Sequence, residues 1–135
     1  MKRALVVGCS TGIGQAVALT LVCNGWDVLG VSRTRPKLDR LHWVPMDVLS
    51  SAFVEELVAA IRYWSGGALD TLIYTVGTQV PVGLFSETDS DQWEASIATN
   101  LIGAARSTRA CIPYLRKSSD GRILLFSGGG AFYPR

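Results

Sequence analysis

The sequence predicts one α/β domain built on a doubly wound, parallel sheet of about five strands with helices on both faces. Two observations lead to this prediction. Short apolar runs alternate along the chain with segments whose apolar residues recur at helical spacing. The short runs also lack polar alternation, which indicates strands buried on both faces. The chain has 135 residues, of which 48% are hydrophobic, so it is long and apolar enough to form one core.

The predicted elements follow from these patterns in order. The predicted strands are residues 4–7, 28–32, 41–44, 72–76 and 123–126. Helices are predicted from the end of a glycine-rich loop to Asn24-Gly25, from 51 to 64, and from Asp91 as N-cap to about 117. Pro113 is predicted to bend the last helix or to end it early.

Parallel strands joined by right-handed crossovers give an expected strand order of 3-2-1-4-5. The third strand carries His42 and Pro45, which suit an open edge. The fifth strand would form the other edge but carries no such protection. Together with apolar residues on several sides of the last helix, this predicts a homo-oligomer formed through the long helix (about 91–117), the fifth strand, or both.

The loop between the first strand and the first helix reads GCSTGIG, residues 8–14. Its glycines would make the tight exit from the strand, allow a diphosphate to approach the backbone, and let the helix pack closely on the sheet. This context is typical of a Rossmann-like dinucleotide site. The alternative is an ordinary strand-to-helix turn. The predicted contact residues of the loop are Gly8, Ser10, Thr11, Gly12, Ile13 and Gly14.

Residues at the end of the second strand indicate which dinucleotide would bind. Enzymes that select NAD commonly place a carboxylate there to bind the adenosine ribose. This chain has Ser32, followed by Arg33, Arg35 and Lys37. A hydroxyl and guanidinium groups suit a 2′-phosphate. We therefore expect Ser32 and Arg33 to select NADP(H); the alternative is a solvated basic loop.

The loop spacing, ending Thr11-Gly12-Ile13-Gly14, resembles that of the short-chain dehydrogenase/reductase family. Val7 stands where that family often has threonine, a mild departure. The similarity continues along the chain but covers only the first part of a typical member, so a truncated or partial protein is expected. The further matching positions are Asp47-Val48, Asp70, Gly77, 100–103, Pro113 and Gly121-Arg122-Ile123.

The resemblance implies roles for five further residues. Asp47 and Val48 would contact the adenine, although Asp47 could instead cap the next helix. Gly77 would approach the nicotinamide ribose; the family usually has Asn-Asn-Ala-Gly where this chain has Tyr-Thr-Val-Gly. Asn100 would match the asparagine of the family's proton relay, or else be structural. Ser127 would match the first of the two serines that orient the substrate carbonyl.

The family's catalytic tyrosine and lysine are absent from this sequence. In the family a tyrosine transfers the proton while a hydride moves between the nicotinamide and a carbonyl carbon, and the two residues are spaced Tyr-x-x-x-Lys. No tyrosine here has lysine four positions on, and Tyr133 is followed only by Pro134 and Arg135. By sequence, the active site is at best half present.

Composition bears on nucleic acid, membrane and metal partners and on the cellular location. A net charge of +2 gives no argument for nucleic acid or a membrane surface. No stretch reaches the roughly 20 apolar residues of a spanning helix. Cys9, Cys23 and Cys111 lack metal-ligand spacing and are interpreted as reduced core thiols. A cytoplasmic protein without a metal site is expected.

Three hypotheses remain open at this point. The preferred one is the NADP(H)-binding portion of a short-chain reductase acting on a carbonyl or alcohol, inactive as this chain alone. The second is a stand-alone NADP(H)-binding module or pseudoenzyme. The third is a subunit completed by a partner chain that supplies the missing tyrosine and lysine.

Overall fold

The computed structural model describes residues 1–128, which form a five-stranded, all-parallel sheet in the order β3-β2-β1-β4-β5. The predicted fold class and strand order are therefore confirmed. The strands are β1 (Arg3–Val7), β2 (Asp27–Ser32), β3 (His42–Pro45), β4 (Thr71–Tyr74) and β5 (Arg122–Leu125). The helices are α1 (Gly12–Cys23), α2 (Phe53–Ser65), α3 (Ser90–Ile97) and α4 (Gly103–Leu115).

Alternate residues of the central strands enter two separate cores, one on each face of the sheet. Leu5, Leu29 and Leu72 join the larger core, where α2 and α4 pack. Val6, Val28 and Ile73 point to the opposite face, against residues of α1. Because both faces are covered, these strands are continuously apolar, which explains why they were recognisable from sequence.

The long helix differs from its prediction in two respects. Asp89 caps α3 by accepting a hydrogen bond from the Gln92 N–H at 2.9 Å, so Asp91 lies in the first turn and is not the cap. A π-helical turn, Ala98–Ile102, separates α3 from α4. Pro113 lies inside α4, which ends two residues later at Leu115, before the predicted end at about 117.

The two edges of the sheet are β3 and β5. All four residues of β5 are exposed, as is Phe126 beyond it. The predicted unprotected edge is therefore present in the described part of the chain.

One of the three cysteines differs from expectation. Cys9 and Cys111 are buried, whereas Cys23 is exposed. Cys23 is the last residue of α1 and lies off the apolar stripe that faces the sheet. Its assignment as a core thiol was wrong.

Candidate cofactor-binding site

A cleft of about 590 Å³ opens at the carboxyl ends of the strands. This is where open α/β sheets bind their ligands. Its walls come from the ends of β1 to β4 and from α3 and the π turn. Of the residues predicted from sequence, the cleft is lined by Gly8, Ser10, Thr11, Ser32, Arg33, Asp47, Val48 and Gly77.

The glycines of the loop are required by its geometry. Gly8 has a φ of +94°, and a Cβ there would lie 2.7 Å from Thr75 Oγ1. A Cβ on Gly14 would overlap the carbonyl oxygen of Gly8, so only glycine allows the helix to start this close to the strand. Gly12 has a φ of +54° with no atom within 4 Å of a would-be Cβ, so its outer side is open.

The N-terminus of α1 keeps its backbone donors free of side-chain caps. Thr11 is the N-cap but makes no side-chain hydrogen bond, and the first turn holds no acidic residue. The first backbone bond of the helix runs from Gln15 N–H to Thr11 O, at 3.2 Å. The N–H groups of Gly12, Ile13 and Gly14 precede this bond, have no partner within the helix, and form the positive end of its dipole. An open glycine cradle with donors and no acid fits a dinucleotide diphosphate.

Thr75 supports this loop and was not recognised from sequence as a functional residue. Its hydroxyl lies 2.9 Å from both Val7 O and Gly8 O, and its own N–H donates to Val7 O at 2.9 Å. The end of β1 is thereby fixed against β4. Its position in the sequence could have indicated this role, because Thr75 stands where the family usually has the second asparagine of Asn-Asn-Ala-Gly. The difference from that motif drew attention instead to the side chains that are missing.

At the end of β2, Ser32 and Arg33 have different roles. The Ser32 hydroxyl is buried, accepts from Trp43 Nε1 at 2.9 Å and donates to Thr34 O at 2.7 Å, so its proton is engaged within the protein. Arg33 is exposed and lines the cleft. The Arg35 guanidinium lies 5.8 Å from the Trp43 ring centre and, like Lys37, is not part of the cleft wall. Of the three basic residues of this loop, Arg33 is therefore the one that lines the cleft.

Asp47 follows β3 and also lines the cleft. One of its carboxylate oxygens accepts from Leu49 N–H at 2.9 Å, closing a local turn. The N-cap of α2 is Ala52, so the alternative role of Asp47 as helix cap is not what the structure shows. Val48 beside it is buried and contributes an apolar surface to the cleft.

The two predicted catalytic residues lie outside the cleft wall. The Asn100 side chain forms a reciprocal pair with Thr78: its oxygen accepts from Thr78 N–H and its amide donates to Thr78 O, both at 2.8 Å. Asn100 thus holds the backbone that follows Gly77, in agreement with its structural alternative. Ser127 is exposed, just beyond β5. A role in catalysis stays a prediction for both residues.

None of the tyrosines within residues 1–128 is placed to donate a proton at the cleft. Tyr74 is buried and donates its hydroxyl to Thr99 O, and burial raises its pKa to about 12. Tyr63 is exposed on α2, and the Tyr114 hydroxyl accepts from Arg62 Nε at 3.1 Å. Tyr133 lies outside the described residues. A tyrosine that transfers a proton near neutral pH needs a lowered pKa, whereas the pKa of Tyr74 is raised.

Neither a metal site nor a membrane-spanning helix is found among residues 1–128. No group of three or more His, Cys, Asp or Glu side chains is arranged to hold a metal ion. Over the same residues, every helix is too short or too polar to cross a bilayer.

The fold and the cleft define a dinucleotide-binding domain, and comparison with known proteins identifies its family. The family model described as short chain dehydrogenase matches residues 2–135, so the chain belongs to this family. It is 29% identical to the 2,3-dihydro-2,3-dihydroxybenzoate dehydrogenase of Bacillus subtilis, over 99% of this chain and 55% of that protein.

Solved structures agree with this assignment. The ligand-free aldohexose dehydrogenase of Thermoplasma acidophilum superposes with a TM-score of 0.87 at 27% identity, covering 94% of this chain and 49% of that one. A short-chain dehydrogenase from Streptomyces avermitilis gives a TM-score of 0.84 at 30% identity, covering 96% and 50%. The chain therefore spans about half the length of the relatives it matches.

Proposed function

We propose that this chain is the NADP(H)-binding portion of a short-chain oxidoreductase that acts on a carbonyl or alcohol substrate. The observation that carries the proposal is Arg33, which lines the cleft at the end of β2 where enzymes that select NAD commonly have a carboxylate. The bound nicotinamide would supply or accept the hydride. The protein would bind and orient it.

The cleft residues divide this work along its length. At one end Arg33 would bind the 2′-phosphate through paired hydrogen bonds, and Asp47 and Val48 would flank the adenine. In the middle, the N–H groups that open α1 would bind the diphosphate. At the far end the backbone at Gly77, held by Asn100 through Thr78, would border the nicotinamide ribose.

Replacing Arg33 tests the cofactor assignment. Arg33→Ala should weaken NADPH binding roughly tenfold or more, because a charge-assisted bidentate contact is lost, and should leave NADH binding nearly unchanged. Titration calorimetry of the chain with both cofactors measures this. The matched control is Arg40→Ala, which removes an exposed arginine that lies off the cleft wall.

Equal losses for both cofactors in Arg33→Ala would contradict the assignment. A comparable loss in Arg40→Ala would show that only general positive charge matters.

A second candidate function is a binding module without redox turnover, or a subunit completed by a partner chain. It is favoured by the Tyr74 hydroxyl, which donates to Thr99 O and so is not free to donate a proton at the cleft. The chain mixed with NADPH and a panel of aldehydes and ketones should then show no loss of NADPH absorbance. Turnover by the chain alone would overturn this candidate.

We also propose a cytoplasmic location and self-association. Cys9, Cys23 and Cys111 are all free thiols, which suits a reducing compartment. The exposed apolar strand β5 supports a homo-oligomer that uses this edge.

A further inference from the structure

We propose that Trp43 is a positioning residue that sets the preference for a 2′-phosphate by acting through Ser32 on the loop that carries Arg33. This inference rests on the proposed function. It adds a specificity determinant that lies on the neighbouring strand and outside the cleft wall.

A two-step hydrogen-bond chain connects Trp43 with the loop. Trp43 Nε1 lies 2.9 Å from Ser32 Oγ, and Ser32 Oγ lies 2.7 Å from Thr34 O. The direction of both bonds is fixed by chemistry, because an indole N–H can only donate and a carbonyl oxygen can only accept. The single Ser32 proton must therefore point to Thr34. Since Ser32 is only 8% exposed, water competes little for these bonds.

These two hydrogen bonds close the backbone into a turn around Arg33. The bond from Ser32 to Thr34 O spans two residues and places Arg33 at the tip of the turn, exposed and at the cleft wall. The Arg35 guanidinium, two positions after Arg33, lies 5.8 Å from the Trp43 ring centre. Trp43 therefore contacts the loop both before and after Arg33.

The same hydrogen bonds keep the Ser32 hydroxyl from binding either cofactor. A hydroxyl at the end of β2 has the capacity to bind a ribose hydroxyl, as the carboxylate does in enzymes that select NAD. Here its proton is directed at Thr34, its oxygen accepts from Trp43, and Cys9 Sγ packs 3.4 Å away. Ser32 is thus withdrawn from the ligand, and discrimination is left to Arg33.

The test compares ligands that differ in the 2′-phosphate alone. Trp43→Phe removes the N–H donor and keeps an aromatic ring. It should lower the affinity for 2′,5′-ADP and NADPH by about three- to tenfold, the effect of one modest hydrogen bond. Affinities for 5′-AMP and NADH should stay within about twofold by the same calorimetric measurement. Ser32→Ala removes both hydrogen bonds that connect Trp43 with Thr34 and should give the same loss of affinity for 2′,5′-ADP and NADPH. The double variant should lose no more affinity than either single variant.

Trp64→Phe is the matched control. It removes another indole hydrogen bond, from Trp64 Nε1 to Asp27 Oδ1 at 3.0 Å, at the opposite end of β2. Thermal unfolding should show comparable destabilisation by both tryptophan substitutions, while only Trp43→Phe changes the ratio of the 2′,5′-ADP and 5′-AMP affinities.

An unchanged ratio in both Trp43→Phe and Ser32→Ala would overturn the inference, as would an equal change in Trp64→Phe. If Arg33→Ala reduces the preference for the 2′-phosphate and these variants do not, this inference fails alone. If Arg33→Ala also leaves the preference unchanged, the proposed function fails with it.

Discussion

The three glycines of the loop are needed for different reasons, which the space around each residue shows. Gly8 and Gly14 pack against each other and against Thr75, so their small size is a structural requirement. Gly12 is different, because a side chain there would meet no protein atom and would extend into open space. The tight exit at Gly8 and the close packing at Gly14 were predicted from their spacing and are present in the structure, whereas approach of a diphosphate at Gly12 stays a prediction. The sequence did not predict the support from Thr75, which depends on a contact between residues far apart in the chain.

A methyl group on Gly12 should separate binding from stability. Gly12→Ala and Gly25→Ala both place alanine at positive φ, +54° and +78°, with open space around the new Cβ. Each should lower the free energy of unfolding by about 1–2 kcal/mol, the cost of the left-handed conformation. Only Gly12→Ala should also weaken NADPH binding, because its methyl group would occupy the diphosphate position. Denaturant unfolding and calorimetry measure the two effects.

Equal NADPH affinity in the two alanine variants would show that the diphosphate does not contact Gly12.

At the scale of elements, the sequence predicted the central strands and α2 closely because burial on both faces and a clear apolar stripe leave strong patterns. The π turn that contains Asn100 was missed, since one extra residue in a helical turn barely changes the apolar periodicity over a long helix. The N-cap was placed at Asp91 instead of Asp89 for a related reason. Both aspartates suit a helix start, and only the backbone geometry selects between them.

The Asp70 carboxylate connects β1 with the turn after α4, and its ionisation should make the stability of the fold depend on pH. Its carboxylate accepts from Ser118 Oγ at 2.6 Å and from Arg3 N–H at 2.8 Å. These bonds, the Ser118 bond first, hold the pKa of Asp70 below its ordinary value of 3.8. A lowered pKa in the folded state gives stability that is complete above the ordinary pKa and is lost as the pH falls through the lowered one.

Asp70→Asn should therefore lower the free energy of unfolding by about 1–2 kcal/mol at neutral pH. The difference from the unmodified chain should shrink as the pH falls below 3.8. Urea unfolding across this range measures it, with Asp91→Asn as an exposed control on α3. A difference that is constant with pH would contradict the role given to the carboxylate.

For the whole molecule, the strand order was predictable because few topologies connect alternating strands and helices without left-handed crossovers. From sequence, candidate site residues could be proposed only where they depend on backbone approach or on one charge, as at Gly12 and Arg33, and their contacts with a cofactor stay predictions. Ser32 was expected to bind the phosphate through its hydroxyl, but that proton is engaged with Thr34. The pairing of Ser32 with Trp43 depends on the register of β2 and β3, which the sequence alone does not define.

The exposed edge β5 leads to a prediction about assembly. Leu125 is 57% exposed on β5, and Leu19 is 48% exposed on α1. If copies of the chain associate through β5, Leu125→Lys should shift the chain toward monomer in sedimentation velocity, because a charge at an edge opposes strand pairing. Leu19→Lys should leave the distribution unchanged. The same distribution for both variants and the unmodified chain would argue against assembly through this edge.

Calorimetric titration of the folded chain with NADPH and NADH tests most directly whether the cleft binds NADP(H) through Arg33. We expect the dissociation constant for NADPH to be roughly tenfold or more below that for NADH, with the difference lost in Arg33→Ala. Equal or tighter binding of NADH by the unmodified chain would contradict the claim.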